Sequence, residues 1–166
     1  MIRDSANYVP ELSLVAAADG RVLDHVMLSY VELRDDSTSH RVLTLSPVSV
    51  EPKAQGKGLG SSLIRRVLNL ADEDGQPLVC LEGSPDFYGR LGFTDSREFG
   101  IHFEVPDWAP PNAGQVYELS NYDSAIKGTV AYPPAFIAAE ELRARITNRD
   151  GARDGAALTS LRVARV

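Results

Sequence analysis

Residues 41–71 read RVLTLSPVSV EPKAQGKGLG SSLIRRVLNLA, and this stretch decides the fold. An extended apolar run, Val42 to Val50, is followed by the turn Gln55-Gly56-Lys57-Gly58-Leu59-Gly60 and then by an amphipathic run from Ser61 to Ala71. Leu63, Ile64, Val67, Leu68 and Ala71 recur at helical spacing, so one face of that helix is buried. A strand, a glycine-rich turn and a helix in this order form an anion cradle. The first amides of a helix have no intrahelical acceptor, and the helix dipole adds partial positive charge to them. Three glycines, with no Cβ in the way, let a phosphate approach the backbone. The expected ligand is a phosphorylated cofactor.

The spacing narrows the choice. A Walker-type loop needs Gly, four residues, then Gly-Lys-Ser/Thr, but here Gly58 follows Lys57 and Glu51 stands five before Gly56. The dinucleotide pattern G-x-G-x-x-G fails as well, because Gly56, Gly58 and Gly60 are spaced by two and two. What remains is Q-x-x-G-x-G, carried by Gln55, Gly58 and Gly60. It resembles the coenzyme A pyrophosphate loop of the GNAT superfamily of N-acyltransferases. About 30 residues later, behind the apolar run Leu78 to Leu81, Phe87-Tyr88-Gly89-Arg90-Leu91-Gly92-Phe93 resembles the Y-x-x-x-G-F segment of the same superfamily. The likeness spans roughly residues 11 to 134. It extends to small bacterial predicted acetyltransferases, which share a late Y-P-P-x-F segment like Tyr132 to Phe136.

The resemblance implies a fold and a set of roles. The fold is α/β (α+β): a mixed, mostly antiparallel twisted sheet, with a V-shaped splay between two central parallel strands and helices on both faces. The cofactor is acetyl-CoA, and the reaction is direct attack of a primary amine on its thioester. The acceptor is a small-molecule amine or a protein amino group. Val48 and Val50 offer backbone groups to the pantetheine arm. Amides from Gly56 to Ser61, with Gln55, Gly58 and Gly60 at the fixed positions, hold the pyrophosphate, and Lys57 adds charge near it. Tyr88 is the candidate general acid, since a phenol can protonate a thiolate of similar pKa. Where some protein-acetylating relatives carry a glutamate base, this chain has Thr44, which cannot serve. Glu82, at the end of the second central strand, is the candidate base, with a water relay as the other option. A non-catalytic acyl-CoA-binding module, or an interaction subunit keeping only the fold, is the alternative reading.

The rest of the chain bounds these expectations. At 166 residues, with 43% apolar and 24% charged residues, it is of single-domain size with a substantial core. No apolar run reaches the roughly 20 residues that span a bilayer. Cys80 is the lone cysteine, in an apolar strand, and fits a core role in a reducing cytoplasm. His25, His40 and His102 lack metal-ligand spacing, and no metal is expected. Net charge is −6, divided between a +4 segment over 142–166 and a −10 body. The acidic body argues against nucleic acid and favours a cationic acceptor.

A domain over 1–147 and a mobile basic tail over 148–166 are expected. Leu12–Ala17 and Val22–Leu33 read as a hairpin about Asp19-Gly20, and Leu78–Leu81 as a central parallel strand. Asp86–Leu91 reads as a short helix stopped by Gly92. Glu98–Val105 and Gln115–Leu119 read as completing strands, and Pro134–Ile146 as a late helix. Relatives carry a strand and two helices before the Leu12 strand, and a glycine where Asp24 stands. The short start predicts an exposed edge, for which a homodimer is one remedy.

Overall fold

A computed structural model of the chain describes residues 2–36, 38–105 and 109–136. The strands are β1 (Tyr8–Ala18), β2 (Arg21–Arg34), β3 (Ser39–Val50), β4 (Leu78–Glu82), β5 (Thr94–Asp95), β6 (Ile101–His102), β7 (Gly114–Glu118) and β8 (Gly128–Ala131). The helices are α1 (Leu59–Glu73) and the single turn α2 (Pro85–Tyr88). The strands form one sheet in the order β5-β7-β4-β3-β2-β8-β6, and β1 pairs β2 beside β8. The pairing is mostly antiparallel, with β3–β4 and β6–β8 parallel. Among the described residues, no helix is long and apolar enough to cross a membrane.

The hairpin at Asp19-Gly20 forms as the sequence predicts. Both residues take positive φ, 51° and 73°, which suits the right-handed twist of β1 and β2. The alternation of β3 and β4 then sorts their side chains between two cores. Leu43, Leu45, Val79 and Leu81 meet Ile64, Val67, Leu68 and Ala71 of α1, with Leu91 and Phe93 beyond. Val42, Leu78 and Cys80 face the other way, toward Val116, Ile101 and Val130. The first face is covered by α1 and α2. The second is covered by the 3-10 turn Ser96–Phe99 and by Tyr122, Ile126, Tyr132 and Phe136. Cys80 is fully buried, as expected of a core thiol, and burial pushes its pKa up to about 12.

One strand expectation is corrected. Glu98–Val105 is not a continuous strand beside Gln115–Leu119. Asp95 accepts from the Arg97 amide, Ser96–Phe99 turns as a 3-10 helix, and Gly100 ends it in the left-handed region. Only Ile101–His102 is extended, and it pairs with β8 at the opposite edge of the sheet from β7. Phe99, Ile101 and Phe103 still share one apolar core, so their period-2 spacing reports burial without a ladder. Strand β8 itself has no counterpart in the sequence reading. The late helix is seen only at its start, residues 134–136, and both the rest of it and the basic tail lie outside the described residues.

The feature that shapes the site is where β3 and β4 stop pairing. Their ladder consists of Leu43↔Val79 and Thr44↔Cys80. Beyond it, β3 stays with β2 but gains a residue: Val26 pairs Val48, while Leu28 pairs Leu45. An extra residue bends its strand and raises the local twist. The bulge contains Pro47, which follows a cis peptide bond and has no amide to give a neighbour. A gap therefore opens between Ser46–Val50 and the end of β4.

Candidate active site

The glycine loop sits at the foot of this gap. Gly58 is the N-cap of α1 at φ 78°, and among the described residues no side chain caps the helix. The first turn holds no acidic side chain, and the first helical bond runs from the Ser62 amide to the Gly58 carbonyl at 2.9 Å. The helix thus presents uncapped amides beside Gly58, Leu59, Gly60 and Ser61. The three glycines are not equivalent. Gly56 and Gly58 adopt positive φ with open space where a Cβ would stand, which fits an approaching ligand. At Gly60 a Cβ would lie 3.1 Å from Val50 Cγ2, so its smallness lets α1 pack against β3. Lys57 is exposed.

Backbone direction along β3 follows from one bond. The Glu51 amide donates to the Leu23 carbonyl at 2.7 Å. Bonded and non-bonded positions alternate in an antiparallel pair. Ser49, opposite His25, is therefore bonded to β2, and the amides and carbonyls of Val48 and Val50 turn toward the gap. The Val50 carbonyl accepts from Gln55 Nε2 at 3.1 Å, which ties the loop to the strand end.

Tyr88 ends α2 on the α1 side of the sheet, edge-on to Phe87 and Phe93 at 4.9 and 5.6 Å between ring centroids. Its ring lies over Gly83, where a Cβ would fall 2.4 Å from Tyr88 Cε2. Burial pushes the phenol pKa up, so it stays protonated at neutral pH. A Gly83→Ala variant is expected to displace this ring and to lose about 1–3 kcal/mol of stability by overpacking. Thermal denaturation checks it, and an unchanged Tm would mean that the ring moves freely. Arg90 donates to the Asp86 carbonyl at 2.8 Å.

Glu82 lies two residues past the last β3–β4 rung. It faces the side opposite Tyr88, where it accepts from Tyr132 Oη at 2.6 Å. Thr44 is buried and donates to the Cys80 carbonyl at 3.1 Å, consistent with its exclusion as a base. Among the described residues, no group of His, Cys, Asp or Glu is placed to hold a metal. His25 is a core histidine, 2% exposed, with Arg3 and Ser13 each 3.3 Å from its Nε2. Burial first, then the charge of Arg3, lowers its pKa.

Sequence reasoning missed two residues here. Tyr132 stood only within a quoted segment, and its partner Glu82 is 50 residues away. Asp24 registered only as a departure from a glycine. It is 2% exposed, neither carboxylate oxygen has a hydrogen-bond partner among the described residues, and it lies behind Gly60 in the first turn of α1. Burial raises its pKa, and the nearby His25 amide offsets part of that rise. A folded-state pKa above the unfolded one makes stability greatest in acid, and stability falls as pH rises through the folded-state value. Asp24→Asn is therefore expected to raise Tm at pH 7 by about 2–4 °C, roughly 1 kcal/mol at this chain length. The difference from wild type should close toward pH 4. A variant less stable at pH 7 would show that the helix dipole outweighs burial.

Comparison with known proteins fits this geometry. The acetyltransferase (GNAT) domain family matches residues 3–95. The chain is 30% identical over 118 residues to the uncharacterized N-acetyltransferase YhbS of Escherichia coli, covering 70% of this chain and 67% of that protein. The solved structure of E. coli YhbS in complex with CoA matches with a TM-score of 0.71 at 27% identity, over 82% of this chain and 73% of that one. A GNAT family acetyltransferase from Brucella melitensis in complex with acetyl-CoA matches with a TM-score of 0.57 at 31% identity, over 75% and 67%. The chain belongs to the GNAT family of acetyltransferases, and its curled mixed sheet is the fold of that family.

Proposed function

We propose that this chain transfers the acetyl group of acetyl-CoA to a primary amine, of a small molecule or of a protein. The carrying observation is the β3–β4 gap with an uncapped helix N-terminus at its foot. The amides from Gly56 to Ser61 suit a pyrophosphate, with Lys57 adding charge and Gln55 holding the loop in place. Val48 and Val50 turn backbone groups into the gap, where an extended amide-bearing arm pairs as a strand would. The YhbS and Brucella structures, solved with CoA and acetyl-CoA, support the same reading.

The overall reaction forms an amide C–N bond and breaks the thioester C–S bond. An ammonium acceptor gives up two protons in the process. Glu82 takes one and passes it to solvent, and the other replaces the proton that Tyr88 supplies to the leaving thiolate. Tyr88 and Glu82 flank the gap from opposite faces, so one addresses the leaving thiolate and the other the incoming amine. The apolar wall around Tyr88 raises its pKa, and it would raise that of a thiolate beside it for the same reason.

Calorimetric titration with acetyl-CoA, with ATP and NAD as controls, is the first test. Thiol release with a panel of primary amines and a lysine peptide is the second. Micromolar binding of acetyl-CoA alone, followed by amine-dependent release, is the expected result. Binding with no release for any acceptor would favour a non-catalytic acyl-CoA-binding module. No binding by the folded chain would overturn the proposal.

A further inference from the structure

Among the described residues, Asp24 is the only buried acidic side chain, and neither of its oxygens has a hydrogen-bond partner. It stands on β2 between Ala16 of β1 and Val50 of β3. Its Oδ2 lies 3.9 Å from the place of a Cβ on Gly60, so it looks onto the inner side of the first turn of α1. A carboxylate at a helix start ordinarily caps it by accepting from an amide. Asp24 accepts from none of the first amides of α1 and leaves them to a ligand. Among the described residues, Ala16, Val50 and Gly60 face it from the packed elements, and none of them titrates. His25, the next residue on β2, points to the opposite face, toward Ser13 and Arg3. Of the other charged groups at this end, Glu51 pairs with Arg21 at 2.9 Å, while Asp19, Lys57 and Arg65 are exposed.

We propose that Asp24 couples cofactor binding to proton uptake: it carries a proton while a diphosphate occupies the amides from Gly58 to Ser61, so the cofactor binds more weakly as pH rises. This rests on the cradle reading above. One backbone turn separates a diphosphate at those amides from Asp24. The carboxylate is shut off from solvent, so two negative charges there repel more strongly than through water. The coupling is reciprocal: the bound diphosphate favours the protonated acid, and the ionised acid lowers affinity by the same factor. Burial already raises the pKa of Asp24 in the free protein, and the diphosphate raises it further. Affinity is therefore full below the free-protein value, falls as pH climbs to the value in the complex, and is level beyond it. Asparagine, of the same shape and without a charge, removes this dependence.

Calorimetric titration of CoA into wild type and Asp24→Asn tests the coupling. Each titration is run between pH 5 and 9 in buffers of different ionisation enthalpy, which counts the protons exchanged on binding. The phosphomonoester of CoA titrates in the same range and contributes equally to both proteins, so the difference between them belongs to Asp24. Wild type is expected to take up more protons than Asp24→Asn. The two affinities should agree near pH 5 and separate to about tenfold, in favour of Asp24→Asn, at high pH, the factor set by one unit of pKa. Asp24→Ser gives the same comparison if the amide fails to fold. Equal proton counts and parallel affinity profiles would overturn the coupling and leave the cradle standing. Failure of both folded proteins to bind CoA at every pH would strike the cradle reading and this inference with it.

Discussion

A Gly58→Glu variant is expected to fold and to lose at least about 100-fold in affinity for acetyl-CoA, nearly 3 kcal/mol. Two effects combine. The new carboxylate stands at the uncapped start of α1, where the amides and the helix dipole would otherwise serve a phosphate, and it repels that phosphate. The backbone there has φ 78°, where an L residue costs about 1–2 kcal/mol. That cost falls on stability and reads out as a lower Tm. Gly58→Asn separates the two, because asparagine tolerates the left-handed region and carries no charge. It should keep affinity within a few-fold of wild type. Calorimetry on both variants checks this, and equal affinity of Gly58→Glu and wild type would remove the cradle assignment.

Tyr88→Phe is expected to lower turnover by about 100-fold, the lower end of what a positioned acid contributes, with cofactor affinity changed less than twofold. Phenylalanine keeps the ring that lies over Gly83 between Phe87 and Phe93, so binding and folding are preserved. Thiol release gives kcat and calorimetry gives the affinity. The phenol pKa is raised, and an acid is lost only as pH climbs through its own pKa. Tyr88 therefore predicts no decline in rate between pH 7 and the ordinary tyrosine value of about 10. Equal turnover in the two proteins would leave Tyr88 as a packing residue.

Much of this chain is legible because its decisive pieces are local. The loop from Gln55 to Gly60 declares itself by glycines at fixed spacing, and two of them do take the positive φ that glycine permits. The buried face of α1, at Ile64, Val67, Leu68 and Ala71, is a periodicity that needs no tertiary information. Leu78–Leu81 reads as a central strand because it is apolar on both faces, and it is buried on both. The misreading of Glu98–Val105 has the converse cause. Phe99, Ile101 and Phe103 alternate as a strand does, but alternation reports a buried side, while the ladder depends on which distant strand is free to pair.

The strand, glycine loop and helix, the hairpin before them and the short helical stop at Gly92 are each set by φ preferences and side-chain period within a few residues. The remaining features depend on packing between distant segments. The gap exists because β3 carries an extra residue around Pro47 relative to β2, which no single-strand pattern reveals. Gly60 is small because Val50 lies against it. Asp24 is buried by α1, and Glu82 meets Tyr132 across 50 residues. These are contacts between segments far apart in the chain, and which distant groups meet is settled by how the whole sheet packs.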